Sequence, residues 1–382
     1  MSEDAPSLRA KRSNPDIKTG LLRRDAPRND NTPKSAAQTL QVTADEEGMR
    51  LDRWFKRRLP GLSLSHLNKI VRTGQVRVDG GRVKTATRLA AGQKVRVPPV
   101  EVAPPAPKPK ISETDRRAIR AMILYEDDDL IVLNKPFGLA VQGGSGTTRH
   151  IDGMLASLAN EAGERPLLVH RLDRDTSGVL LVAKNRRIAS QLGEIFRSRK
   201  AQKIYWALVE GVPKPAQGRI SLFLAKGEGM GDNRPKGRSA HQDRAQLEKM
   251  RIAKHGDEDA SHSVTYYTIV DKVAPRLAWL SMKPITGRTH QLRAHAEAIG
   301  HPIIGDPKYG GDPRDPRRHD PLRAIPEQVE RKLHLLARRL VLPHPRGGTL
   351  DVTAPLPEHM QKSFEMFGFD VKRYDPIEAA PE

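Results

Sequence analysis

Apolar positions change their spacing along the chain, and the changes mark out two folded regions. In residues 41–100 the stretch LSLSHLNKIVRTGQVRVDGGRVK places Leu64, Leu67, Ile70 and Val71 at helical spacing. Ser63 is positioned to cap this helix and Gly74 to end it. QVRVDGGRV then alternates about Asp79-Gly80, a hairpin signal. Further on, strand patterns dominate. LIVLNKP is an apolar run stopped by Pro136, GVLLVAK is a second, and LAWLSMKP ends at Pro284. KIYWALVEG alternates, so Ile204, Trp206 and Leu208 point one way and Tyr205, Ala207 and Val209 the other. RRIASQLGEIFRSR is an amphipathic helix with Ile188, Leu192, Ile195 and Phe196 on one face. GRTHQLRAHAEAIG is another, with Thr289 as N-cap, Leu292, Ala296 and Ile299 inward, and Gly300 past the end. The pattern predicts an α+β protein: a small α/β domain over 41–100, then a large domain built on a mostly antiparallel mixed sheet flanked by helices.

The remaining stretches lack periodicity. Residues 1–40 read as a disordered, basic arm, and 101–117, opening EVAPPAPKPKIS, as a stiff Pro-rich linker. The large domain is expected over 118–358, with 359–382 as a polar C-terminal tail. Residues 214–262, polar and Gly-rich, read as a long surface excursion from the sheet.

Charge narrows the partners. Among 382 residues there are 66 Lys and Arg against 46 Asp and Glu, a net +20. Such a basic chain is expected to meet a polyanion. Residues 41–100 carry thirteen basic and five acidic side chains. Lys69, Arg72 and Arg77, with Arg82 and Lys84, stand on the polar side of that unit and make an RNA-facing surface the better reading than a merely solvated one. Cysteine is absent, which excludes disulfides, thiolate metal sites and a Cys nucleophile. No apolar run reaches the ~18 residues of a membrane span, and the first residues do not read as a signal peptide. The expectation is a cytoplasmic monomer with no membrane partner.

The candidate chemistry lies in HRLDRDTSG, His170 to Gly178, directly before an apolar strand. Thr176 and Ser177 can tie the turn, and Gly178 allows a close approach. Flanking Arg171 and Arg174 favour an ionised Asp173. From spacing alone, a nucleophile, a general base, a metal ligand and a structural ion pair all remain open. A glycosidase pair about 5–5.5 Å apart is poorly served by Asp173 and Asp175 on one short loop. His290 and His295, five apart, do not share a helix face as metal ligands would. The G-x-S-x-G elbow and phosphate-cradling loops are missing.

GMRLDRWFKRRLP with SLSHLNKIVRTGQVRVDG resembles the S4 RNA-binding domain. HRLDRDTSGVLLVAK resembles the catalytic motif of RNA pseudouridine synthases of the RluA type. ILYEDDDLIVLNKPFGLAVQGGSGT, KIYWALVEG, ITGRTHQLRAHAEAIGHPIIGDPKYG and RKLHLLARRLVLPHP follow that family's order, so the resemblance spans about 122–357. It points most closely to the branch that modifies large-subunit (23S) ribosomal RNA. It implies an isomerase that converts uridine to pseudouridine without a cofactor or metal. In it Asp173 detaches uracil from ribose so that it can re-attach through carbon 5. Tyr205 stacks on the base and helps deprotonate it, Arg293 pairs with Asp173, and Arg171 enters the RNA where the base has left. Lys135, Arg288 and Lys308 are candidate phosphate contacts, while His170, His290 and His295 could pack or face RNA. A tRNA-directed synthase is one alternative, and a non-catalytic RNA-binding or ribosome-assembly factor is another. A factor that only binds has no need to keep Asp173, Tyr205 and Arg293 together.

Overall fold

A computed structural model describes residues 37–100, 112–143, 147–161, 163–227, 249–257, 259–310 and 324–380. The chain divides into two compact units, one containing residues 37–100 and the other residues 112–380.

In the first unit, strands β1 (Gln38–Gln41), β2 (Arg77–Val78), β3 (Gly81–Arg82) and β4 (Lys94–Val97) form one sheet in the order β1-β4-β2-β3. Helices α1 (Leu51–Arg58) and α2 (Leu64–Arg72) complete it. The Ser63 hydroxyl accepts from the His66 N–H at 3.3 Å, and Gly74 at φ +72° ends α2. Asp79 and Gly80 both take positive φ, as a two-residue hairpin turn of this twist demands. Leu67, Ile70 and Val71 join Leu51, Trp54 and Phe55 in the core. Leu64 does not: it is 62% exposed, because as the first residue of α2 it precedes the turn that meets the core. Lys69 and Arg72 are exposed, and half-buried Arg77 donates to the Gly80 carbonyl at 2.9 Å. Strand β1 already covers Gln38–Gln41, so the expected arm does not extend to residue 40. Residues 1–36 lie outside the described residues.

The second unit is built on an eleven-stranded sheet. The strands nearest the site are β6 (Leu130–Lys135), β8 (Ser177–Ala183), β9 (Gln202–Glu210), β13 (Leu277–Pro284) and β14 (Leu335–Pro343). Besides these five, the sheet contains β5 (Ile123–Glu126), β7 (Leu167–Leu168), β10 (Gln217–Lys226), β11 (Met250–Ala253), β12 (Ser261–Val273) and β15 (Thr349–Thr353). Its path runs β11-β10-β12-β13-β9-β14-β8-β6-β5, with β15 beside β14 and β7 beside β8. Every pairing is antiparallel except β14 with β8. The alternation in β9 sorts its residues between two cores. Ile204, Trp206 and Leu208 enter one, and Ala207 and Val209 enter the other with Tyr205 at its edge.

Three expected boundaries change. The excursion over 214–262 contains β10 (Gln217–Lys226) and β11 (Met250–Ala253), and β12 (Ser261–Val273) begins within it. These strands widen the sheet, and residues 228–248 lie outside the described residues. The linker ends early, since helix α3 (Glu113–Arg120) buries Ile119. The tail is part of the core. Its helix, Glu358–Phe367, buries Phe364 with its ring centroid 4.8 Å from that of Trp279. Beyond it Asp375 accepts from the Trp206 indole at 2.8 Å and the Ser281 hydroxyl at 2.6 Å. Spaced aromatics and one acid in a polar stretch gave too weak a periodicity to reveal this packing.

Candidate active site

The cross-strand register brings the site together. Lys135, Gly178, Ala337, Tyr205 and Met282 lie opposite one another across β6, β8, β14, β9 and β13. Directly opposed residues share a face, so two small residues stand between Lys135 and Tyr205 and leave room above the sheet. Gly178 is required there: its φ is +108°, and a Cβ would fall 2.2 Å from the Ala337 carbonyl oxygen. The loop ahead of β8 turns back over this row, with the Thr176 N–H donating to the Asp173 carbonyl at 3.2 Å.

Above the row opens a cavity of about 580 Å³ lined by Asp173, Tyr205, Arg293, Arg171, Arg288 and their neighbours. The Asp173 side chain is 28% exposed, and Arg293 Nη1 lies 3.6 Å from its Oδ2. Arg293 makes its strong bonds elsewhere. Its Nε and Nη2 donate to Asp306 at 2.7 and 2.6 Å, a two-pronged pair in a buried setting. Asp306 also accepts the Lys308 and Tyr309 N–H groups at 2.9 and 3.0 Å. Gly305, at φ +73°, sets this turn, and a Cβ there would strike the Lys332 carbonyl. Asp306 therefore fixes the guanidinium, and Arg293 presents its remaining face to Asp173. Burial pushes down and Asp306 pulls up the Arg293 pKa, and the net is raised, so the arginine stays charged.

His290 is the second neighbour of Asp173, its Nε2 3.8 Å from Oδ2. It occupies the N-cap of the helix Gln291–Ala298 in left-handed backbone, φ +52°, one residue later than the expected Thr289. Its Nδ1 lies 3.1 Å from the Tyr309 hydroxyl, and burial lowers its pKa to about 4. Arg174 donates to Asp175 at 3.0 Å, and exposed Arg171 reaches the Thr289 hydroxyl at 3.4 Å. Ser177 Oγ is buried with no hydrogen bond among the described residues, and the turn is closed by the Thr176 backbone N–H and not by the side-chain hydrogen bonds expected of Thr176 and Ser177.

Tyr205 is half-buried at the cavity wall. Burial, then the Asp173 charge, push its phenol up, so the neutral phenol prevails at neutral pH. Arg288 is exposed at the rim, its Nε bonded to the His262 carbonyl at 3.2 Å. Lys308 is half-buried beside Asp306. Lys135 is not a phosphate contact. It is fully buried, and its ammonium donates to the carbonyls of Pro136, Leu139 and Arg174 at 2.9, 2.8 and 2.7 Å. It anchors the HRLDRDTSG loop from below, and burial lowers its pKa to about 7. His170 and His295 pack: the first accepts the Leu181 N–H at 2.8 Å and stacks on Phe196, and the second is buried against Ser263.

Spacing did not reveal Asp306 or Tyr309 as parts of the site, and left His290 between packing and facing RNA. The one trace is Gly305-Asp306-Pro307, where a glycine and a proline hold an acid in a fixed turn. Among the described residues no group of three or more His, Cys, Asp or Glu could hold a metal ion. No helix there is long and apolar enough to cross a membrane.

A central acid against a buried arginine, a tyrosine on the neighbouring strand face and a cationic rim describe a site for chemistry on a polyanion. Comparison with known proteins supplies the class. Residues 129–298 match the RNA pseudouridylate synthase family and residues 49–95 the S4 domain. The chain is 36% identical over 336 residues to ribosomal large subunit pseudouridine synthase C of Haemophilus influenzae, covering 87% of this chain and 96% of that one. To the protein of that name in Escherichia coli it is 35% identical over 347 residues, covering 87% and 98%. A solved structure, human RNA pseudouridylate synthase domain containing 4, aligns with TM-score 0.50 at 30% identity, over 65% of this chain and 94% of that one. The chain belongs to the RNA pseudouridylate synthase family, whose members are isomerases.

Proposed function

We propose that this protein converts uridines of large-subunit ribosomal RNA to pseudouridine, with Asp173, Tyr205 and Arg293 as its catalytic set. The observation that carries the reading is Asp173 opening into an arginine-lined cavity beside Tyr205, with Arg293 held against it by Asp306. The relatives' names support the choice of RNA. A stacked uridine cannot reach a cavity of this kind unless it is flipped out. Tyr205 offers it an aromatic platform, and Arg171 at the exposed rim suits the gap left in the RNA. Asp173 then detaches uracil from ribose. The bond from carbon 1′ to nitrogen 1 breaks, one to carbon 5 forms, and the proton on carbon 5 leaves as nitrogen 1 regains one. The atoms balance within the substrate, so the step calls for no oxidant or group donor. The raised phenol pKa favours stacking as the resting role of Tyr205, since a deprotonating role draws on the scarcer phenolate. Lys69, Arg72 and Arg77 of the S4 unit supply phosphate contacts that add affinity.

The test is Asp173→Asn assayed by tritium release from large-subunit rRNA carrying tritium at carbon 5 of uridine. The expected outcome is loss of release by more than about 10³-fold with RNA affinity within about twofold, since phosphate contacts dominate affinity. Turnover at the wild-type rate would overturn the reading.

A further inference from the structure

The cavity holds more positive charge than its chemistry uses. Asp173 is the one carboxylate among its lining residues, and Arg293 and His290 already attend it. Arg199 and Lys203 line the same cavity, and neither has a hydrogen-bond acceptor or ion-pair partner for its side chain among the described residues. Lys203 lies two residues before Tyr205 on β9, so the two share a strand face. Lys203 is half-buried, and both that burial and the nearby Arg199 charge lower its pKa. An unpaired, part-buried cation of this kind is costly unless a ligand completes it.

Arg199 adds a second, independent observation. It follows the end of the helix Arg186–Arg197 with φ +62°, the left-handed position that glycine occupies most cheaply. Backbone strain of this sort is kept where a side chain is needed. Here the side chain kept is a guanidinium at the cavity wall.

Resting on the reading above, we propose that Lys203 and Arg199 together grip the phosphodiester flanking the flipped-out uridine, and so position the nucleotide over Asp173. A base that enters this cavity brings its sugar and adjoining phosphate with it, and this pair supplies the countercharge. Lys203 is thereby a positioning and affinity residue, not a proton-transfer group.

The full-length chain with Lys203→Met, Lys203→Arg and Arg199→Gly tests this, using tritium release and direct binding of a large-subunit rRNA fragment. Lys203→Met is expected to raise Kd and KM about tenfold, the worth of one charge-assisted hydrogen bond, with kcat nearly kept. Its slope of log Kd against log salt should flatten by about 0.7, one phosphate on a single strand. Lys203→Arg should restore most of the affinity. Arg199→Gly should weaken binding several-fold while Tm holds or rises, since glycine relieves the backbone; a structural residue would lose both. Unchanged Kd and salt slope in Lys203→Met would overturn the proposal, as would a fall in kcat alone with an altered pH profile. The binding arm reads Lys203 even if wild-type protein released no tritium, an outcome that would sink the parent reading separately.

Discussion

The two units use the same kinds of residue in opposite ways. In the S4 unit the candidate functional cations Lys69 and Arg72 project from α2 into solvent, and the core beneath them is apolar. In the catalytic unit Arg293 is 2% exposed and Lys135 fully buried, each held by several acceptors. A surface cation needs only water and a phosphate to satisfy it. A buried one must be completed by the fold itself, because an unpaired charge in the interior costs several kcal/mol. Affinity can therefore be distributed over an exposed face, whereas the chemistry proposed at Asp173 demands a built interior. Lys203 falls between these cases, part-buried yet unpaired among the described residues, with exposed Arg199 beside it at the cavity wall, and that is what makes it informative.

The sharpest break in the comparison is Arg293→Met. It strands Asp306 in the interior and is expected to cost about 3–5 kcal/mol of stability together with the activity. Urea unfolding alongside tritium release checks it, and the milder Arg293→Lys separates charge from geometry, because a lysine cannot reproduce the two-pronged bond. Next is Phe364→Ala. The helix that carries it belongs to the core, so a loss of about 3 kcal/mol in the catalytic unit is expected. An effect below about 0.5 kcal/mol would return that segment to the status of a tail.

Acid should separate the units. Burial lowers His170 to about 3, and His290, His295 and His334 to about 4, from an unfolded value of 6.5. Between these values the unfolded chain binds more protons, so the catalytic unit loses stability as pH falls from about 6.5 toward 4. The one histidine in residues 37–100, His66, is exposed. There the sensitive group is Glu46, buried and bonded twice to Arg58, which holds its carboxyl well below the usual 4.5. Its contribution is complete above 4.5 and is lost progressively as pH falls from there through the lowered value. Thermal scans that resolve two transitions should show the catalytic one falling first. The smallest expected effect is on the exposed face. Lys69→Ala and Arg72→Ala should each leave stability within about 0.5 kcal/mol, while each lost phosphate contact lowers the salt slope of RNA binding by about 0.7.

Local pattern carried much of this architecture. Ser63, Asp79-Gly80, the two-faced β9 and the apolar runs of β6, β8 and β13 are visible because each depends on neighbours within a few residues. HRLDRDTSG likewise marks the loop of Asp173, and its resemblance to a known motif named the chemistry that the residues alone left open. What lay beyond reach depends on contacts between distant segments. Lys135 reads as a basic residue before a proline, and nothing near it shows that Arg174, thirty-nine positions on, needs its ammonium. Arg293 reads as the partner of Asp173, yet its tight bonds go to Asp306. Asp375 reads as tail, yet it holds the Trp206 indole 169 residues earlier. Sequence by itself determined the strands and helices around the HRLDRDTSG loop, the presence of two units and the acid in that loop, because propensity and period are local properties. Tertiary structure alone decided which charges are buried and which meet solvent, because a charge takes its role from the low-dielectric surroundings that remote segments build around it.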